Sequence, residues 1–416
     1  MKTNIRTTAA SRMPEFCSEQ LGFNASRHVR AGDHVVGAFV GRSDGPTLIV
    51  IGSLHGNETG GAAALVSLAR DLEKITPKLK GRVYFLLGNT RALLSGSRFI
   101  DVDLNRSWTR QNLSSEGAAG PFSNTTESIE LDELDKMIDS ILINAVDEVY
   151  VIDLHSTSAT GTPFATVGDT LRNRKFAQAF PVPILLGIEE QLEGTMLEHM
   201  NNLGAVTLGF EGGQHLSAQT IENHRAITLR ALKNAGILDQ AEISNLAGGD
   251  TSFADEASGG QIFEILYRHA ISPDDDFVMT PGFNNFDAIR RGEIVAQDKH
   301  GPVKAPRSGV ILMPLYQKLG EDGFFIGQRI SAFWLWLSAV LRRLRLQNIV
   351  HLLPGVKRDP DDSATLIVNT SVARLFPLQI FHLLGFRRRR WVNKKLIVSR
   401  RRHDTSGPFK YEGDKR

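Results

Sequence analysis

The stretch that most constrains this chain is IVIGSLHGNETGG, residues 49–61. An apolar run at 48–51 halts at Gly52, a polar glycine-rich turn carries His55 and Glu58, and residues 62–72 return to a helical pattern. Strand, tight turn and helix is the unit of an α/β sheet, and its turn is where reactive groups are placed. His55 and Glu58 stand three apart, a spacing that lets an imidazole nitrogen and a carboxylate oxygen reach one point. A catalytic zinc site has three protein ligands and one open position, so the pair would supply two of them. Alone, the pair reads more simply as a capped turn, and the rest of the chain has to decide.

The pattern around it repeats. Strands are expected at 34–42, 47–51 and 81–88, with a helix at 62–75 between the last two. Leu131, Leu134, Ile138 and Ile141 fall at steps of three and four, predicting an amphipathic helix over 127–144. A strand at 147–154 delivers His155 at its end. Further strands are expected at 162–168, 182–188 and 205–210, with helices at 192–202 and 217–235. This alternation predicts an α/β sheet with helices on both faces. Past about residue 240 the texture changes to short strands at 261–271, 292–297 and 309–313, split by Gly, Pro and Asp turns. Lys304, within GPVKAPRSGVILMP, reads as a packing position and not a cofactor attachment site.

A third segment holds an amphipathic basic helix at 333–346, a strand at 365–369, a helix at 371–384 with Pro377 in its first turn, and a hairpin at 391–399 around Asn393 and Lys394. The expected division is therefore a catalytic α/β domain at 1–245, a small all-β domain at 246–328 and a basic α+β C-terminal appendage at 329–416. Charge supports that division. Residues 329–416 carry 19 basic and 6 acidic side chains, the preceding residues 29 and 40. Cys17 is the single cysteine, which excludes an internal disulfide and a thiolate metal cluster. Residues 1–30 are polar, with no apolar core of signal-peptide length, and no apolar run approaches the roughly 20 residues of a spanning helix. A cytoplasmic protein is expected.

Later stretches point back at the turn. His155, at a strand tip, can bring a third metal ligand; Asp153, two residues earlier, either orients it or joins a loop network. SRFIDVDLNR, residues 97–106, gathers Arg98, Asn105 and Arg106, and arginine forks grip carboxylates. That implies a small-molecule anionic substrate. Glu211, in GFEGG, stands where a carboxylate can take a proton from a metal-activated water and return it to a leaving amine. Tyr316, in LYQKLGEDGFF, is a weaker candidate for closing over a substrate.

Taken in order, GSLHGNE, RFIDVDLNR, DLHST and FEGG resemble the succinylglutamate desuccinylase/aspartoacylase family, relatives of the zinc carboxypeptidases. The resemblance covers roughly residues 35–328. It implies a zinc-carboxypeptidase-like mixed sheet flanked by helices, and one Zn2+ per subunit held by His55, Glu58 and His155. It further implies Glu211 as general base and acid, Arg98 polarising the scissile carbonyl, Asn105 and Arg106 gripping the substrate carboxylate, and Tyr316 aiding binding. The expected activity is cleavage of the amide bond of an N-acyl amino acid or similar carboxylate. Two alternatives stay open: a zinc carboxypeptidase acting on peptides, and a membrane-surface or nucleic-acid-binding protein working through 329–416, where 387–390 and 400–402 are arginine clusters. Neither nucleic acid nor a membrane surface is the expected partner. A homo-oligomer stays open. The appendage has no counterpart in the family's best-known enzymes.

Overall fold

In the computed structural model the run at 47–52 is the buried part of the strand Ser43–Gly52. The structure describes residues 29–114, 120–246, 260–317, 320–360, 362–369, 378–392, 395–405, 407 and 409–411. Expectations for 1–28, Pro377 and the Asn393–Lys394 turn lie outside these residues.

The uninterrupted apolar character of residues 48–51 has a direct cause. Leu48 and Val50 face one core with Leu65, Leu68 and Leu72 of the helix Thr59–Glu73 and with Ile227 and Leu232 of the helix Ala218–Asn234. Ile49 and Ile51 face the opposite core, with Leu131, Leu134, Ile138 and Ile141 of the helix Thr126–Ile143. A strand covered on both faces has no polar side to alternate.

Among the described residues the main sheet has 11 strands, in spatial order Val35–Val40, Lys80–Leu87, Ser43–Gly52, Val149–Thr157, Val206–Gln214, Phe164–Val167, Ile184–Leu186, Ile262–Ala270, Asp322–Arg329, Gly309–Leu312 and Ala288–Ile289. It is mixed. Ser43–Gly52 pairs in parallel with Lys80–Leu87 and Val149–Thr157, whereas Phe164–Val167 runs antiparallel to Val206–Gln214. The β-rich region after 260 is joined to this sheet through the parallel pair Ile184–Leu186 and Ile262–Ala270. It adds a three-stranded sheet of Gly301–Lys304, Ile294–Asp298 and Val278–Met279.

The C-terminal segment forms the helix Ala332–Arg343 and an antiparallel four-stranded sheet, including the expected hairpin of Phe386–Val392 and Lys395–Arg400. Val356, Leu366, Val368, Phe381, Phe386 and Val398 give it a core of its own. Part of its charge turns inward. Arg342 is buried between Asp169 at 2.9 Å and Asp404 at 2.6 Å, and Arg387 reaches Asp169 and Glu264. Burial opposes ionisation of Asp169, but Arg174, Arg342 and Arg387 hold its carboxyl well below the usual range. Among the described residues no helix is long and apolar enough to cross a membrane.

Candidate metal centre

Two strained or crowded backbone positions set the turn at 53–58. Ser53 has a positive φ of 57°, sparsely populated for a non-glycine residue, and its hydroxyl bonds the Glu58 carbonyl at 3.0 Å. Gly56 packs so close to the helix Thr90–Ser95 that a Cβ there would stand 2.1 Å from the Ala92 backbone carbon. Its N–H donates to the Arg98 carbonyl at 3.0 Å, tying the turn to the arginine loop.

These constraints bring His55, Glu58 and His155 together, with one ligand atom from each within 4.8 Å of the others. His55 Nδ1 lies 2.9 Å from Glu58 Oε1, and His155 Nδ1 lies 3.1 Å from Glu58 Oε2. The opposite ring nitrogens are also held. His55 Nε2 is 3.1 Å from Asp103 Oδ1, and His155 Nε2 is 2.6 Å from Asp153 Oδ2. Two Nδ1 atoms and a carboxylate facing one point, each imidazole backed by a buried carboxylate, is a donor set that suits a divalent ion such as zinc. Of the two readings open for Asp153, the geometry is that of an orienting partner. Burial alone would keep Glu58 neutral, yet His55 and His155 hold it well below the usual carboxylate range. His155, likewise desolvated, is pushed well up by Asp153 and Glu58.

His155 and Glu211 lie within their strands, past the strand ends expected from sequence, because the pairing of Val149–Thr157 with Val206–Gln214 continues through both. Glu211 is 7% exposed, lines the cleft beside the three residues, and keeps Oε2 without a hydrogen-bond partner. Burial raises it to about 8, with Glu58 and Asp153 adding to the effect of burial and His155 and Arg98 opposing it. A carboxyl raised this far can hold or release a proton near neutrality.

Arg98 reaches into the same group, with Nη2 2.9 Å from His55 Nε2 and 3.1 Å from Asp103 Oδ2. Asn105 spends its carbonyl oxygen on the Met196 N–H at 3.0 Å, and its amide nitrogen stands 3.5 Å from His155 Nε2. Arg106 also lines the cleft and lies 3.3 Å from Asp322. Tyr316 does not line it. The Tyr316 hydroxyl accepts from the Phe283 N–H and lies 3.0 Å from the Thr280 carbonyl, so its expected substrate contact is corrected. Its neighbour Gln317 is the lining residue, bonded to Asn57 and to His215 Nε2 at 3.2 Å each.

Sequence reasoning passed over several of these. Asp103 carries no role in the sequence pattern, whereas in the structure it holds both His55 and Arg98. His215 bonds Ser156 Oγ at 2.8 Å, and His224 Nε2–H donates to the His155 carbonyl at 2.9 Å. Burial pushes His224 down to about 4, keeping it neutral. Neither histidine has a motif that would have marked it. A second group, His34 with Glu130 and Glu133, already has a cation in Arg91, 2.8 Å and 2.9 Å from the two carboxylates. It reads as a structural ion pair.

Comparison with known proteins places this geometry. Residues 44–235 match the model of the succinylglutamate desuccinylase/aspartoacylase catalytic domain. A succinylglutamate desuccinylase of Pseudomonas syringae pv. tomato is 25% identical over 274 residues, 62% of this chain and 74% of that protein. An N-acyl-aromatic-L-amino acid amidohydrolase (carboxylate-forming) of Xenopus tropicalis is 26% identical over 294 residues, 68% and 84% of the two chains. Among solved structures, a succinylglutamate desuccinylase/aspartoacylase from Rhodobacter sphaeroides superposes with a TM-score of 0.53 at 20% identity, covering 77% of this chain and 94% of that one. That likeness shows the fold.

Proposed function

From the premise that residues 44–235 belong to the succinylglutamate desuccinylase/aspartoacylase catalytic-domain family, a family of deacylases, we propose that this chain is a zinc-dependent amidohydrolase acting on N-acyl amino acids. The observation that carries the reading is the convergence of His55 Nδ1, His155 Nδ1 and the Glu58 carboxylate beside the raised carboxyl of Glu211. Zinc held there would supply an acidified water and a Lewis acid for the carbonyl oxygen.

The chain's own groups do the rest. Glu211 takes a proton from the attacking water at the free Oε2 and returns it to the departing amine. Arg98 stabilises the negative charge that grows on the carbonyl oxygen, a contribution typically worth about 3–4 kcal/mol. Arg106 and the amide nitrogen of Asn105 grip the substrate carboxylate, which places the scissile bond as well as binding it. Asp103 and Asp153 fix the ring orientation of His55 and His155. The cleft has a volume of about 130 Å³, and residues 313–315 and 320–322 form part of its wall, which favours a small molecule over an extended peptide.

A panel of N-acyl amino acids assayed beside short peptides tests the reading. Hydrolysis of the acyl amino acids with peptides left intact is expected. Release of C-terminal residues from peptides, with every acyl amino acid untouched, would replace it with the carboxypeptidase reading.

A further inference from the structure

One carboxyl in the cleft has no part in the chemistry above. Glu189 follows the strand Ile184–Leu186, lines the cleft with Thr166 and the apolar side chains of Ile188, Leu192 and Phe325, and is 5% exposed. Its Oε2 accepts from Nη2 of Arg401 at 3.2 Å. Its Oε1 is buried and accepts no hydrogen bond. Arg401 belongs to the C-terminal segment and is anchored a second time by Glu190, at 3.0 Å. It passes over Gly168, where a Cβ would stand 2.4 Å from its Nε. The appendage thus holds from behind a carboxyl that lines the cleft, through a residue outside the span of the family match.

The lining cations, among the described residues, are Arg98 and Arg106. Arg98 is engaged with His55 and Asp103, and Arg106 is paired with Asp322. A substrate with two carboxylates would have one for Arg106 and a second facing Glu189, where no further cation among the described residues lines the cleft. A buried oxygen without a donor is costly, and an N–H from the substrate would satisfy it.

On the deacylase reading, we propose that Glu189, held in place by Arg401, is a specificity subsite. It receives a hydrogen-bond-donating group at the far end of a monocarboxylate N-acyl amino acid and turns away a second carboxylate. Glu189 touches the substrate; Arg401 is a positioning residue.

N-acetyl-L-glutamine and N-acetyl-L-glutamate are nearly isosteric and differ at this end alone, so they test the subsite in the intact, zinc-loaded protein. Both kcat/KM and calorimetric binding should favour the glutamine compound by about tenfold or more. Glu189→Gln should move that ratio towards glutamate. Arg401→Met should move it the same way through KM more than kcat, and Arg401→Lys should restore part of it. Should the variants fail to fold, the ratio in the unaltered protein decides. Equal or inverted preference overturns the subsite, as does a ratio unmoved by Glu189→Gln. A binding preference without hydrolysis overturns the deacylase reading and leaves the subsite standing; hydrolysis of both compounds at equal efficiency does the reverse.

Discussion

His155 and Glu211 are register partners on neighbouring parallel strands, Val149–Thr157 and Val206–Gln214. Sheet pairing therefore fixes the spacing between an imidazole and a carboxyl that line the same cleft. Glu211→Gln keeps that register and removes the proton carrier. The expected result is retained metal with kcat lowered by roughly 10²–10⁴. Steady-state kinetics on metal-loaded variant checks it, and turnover at the parental rate would remove Glu211 from the chemistry.

Asp153→Asn keeps the shape of the group behind His155 and removes its charge. The 2.6 Å contact that orients the ring is weakened, and metal affinity should fall about 10–100-fold. Competition with a chelator of known affinity measures this.

Gly56→Val is expected to destabilise the fold as well as the site. Its Cβ would run into the Ala92 backbone, which cannot swing aside as a side chain can. Overpacking of this sort typically costs about 1–3 kcal/mol, read as a lower urea midpoint with an unchanged slope. The same displacement shifts the Arg98 loop bonded to Gly56, so metal binding should weaken in parallel.

Acid should loosen the C-terminal segment. Glu264 is partly buried, and His382 at 2.6 Å together with Arg387 overcomes that burial and lowers it from its ordinary 4.5 to about 2. A carboxyl lowered on folding contributes stability that is fully present above about pH 4.5 and drains away as the pH falls towards 2. Asp169, held well below the usual range by Arg174, Arg342 and Arg387, acts in the same direction. Limited proteolysis across this window should show cleavage within 329–416 appearing first, and Glu264→Gln should narrow the dependence.

Much of the fold was legible because its signals are local. Residues 48–51 are apolar on both faces, and the helix Thr126–Ile143 repeats Leu and Ile at helical steps. The grouping of His55, Glu58 and His155 was legible through their motifs. Other features depend on register and tertiary contact, which no local pattern carries. Pairing through His155 and Glu211 prolongs both strands past their apolar stretches. Tyr316 is drawn to the backbone of 280–283 while Gln317 faces the cleft. Asp103 and Arg401 look like ordinary surface charges in sequence, and only the packing of distant segments turns them towards the site.

Zinc content measured by mass spectrometry, on the parent chain and on His155→Ala dialysed against the same buffer, tests the central claim most directly. One zinc per chain in the parent and its loss in the variant is the predicted result. Full zinc occupancy in His155→Ala would contradict the ligand set from which the mechanism is built.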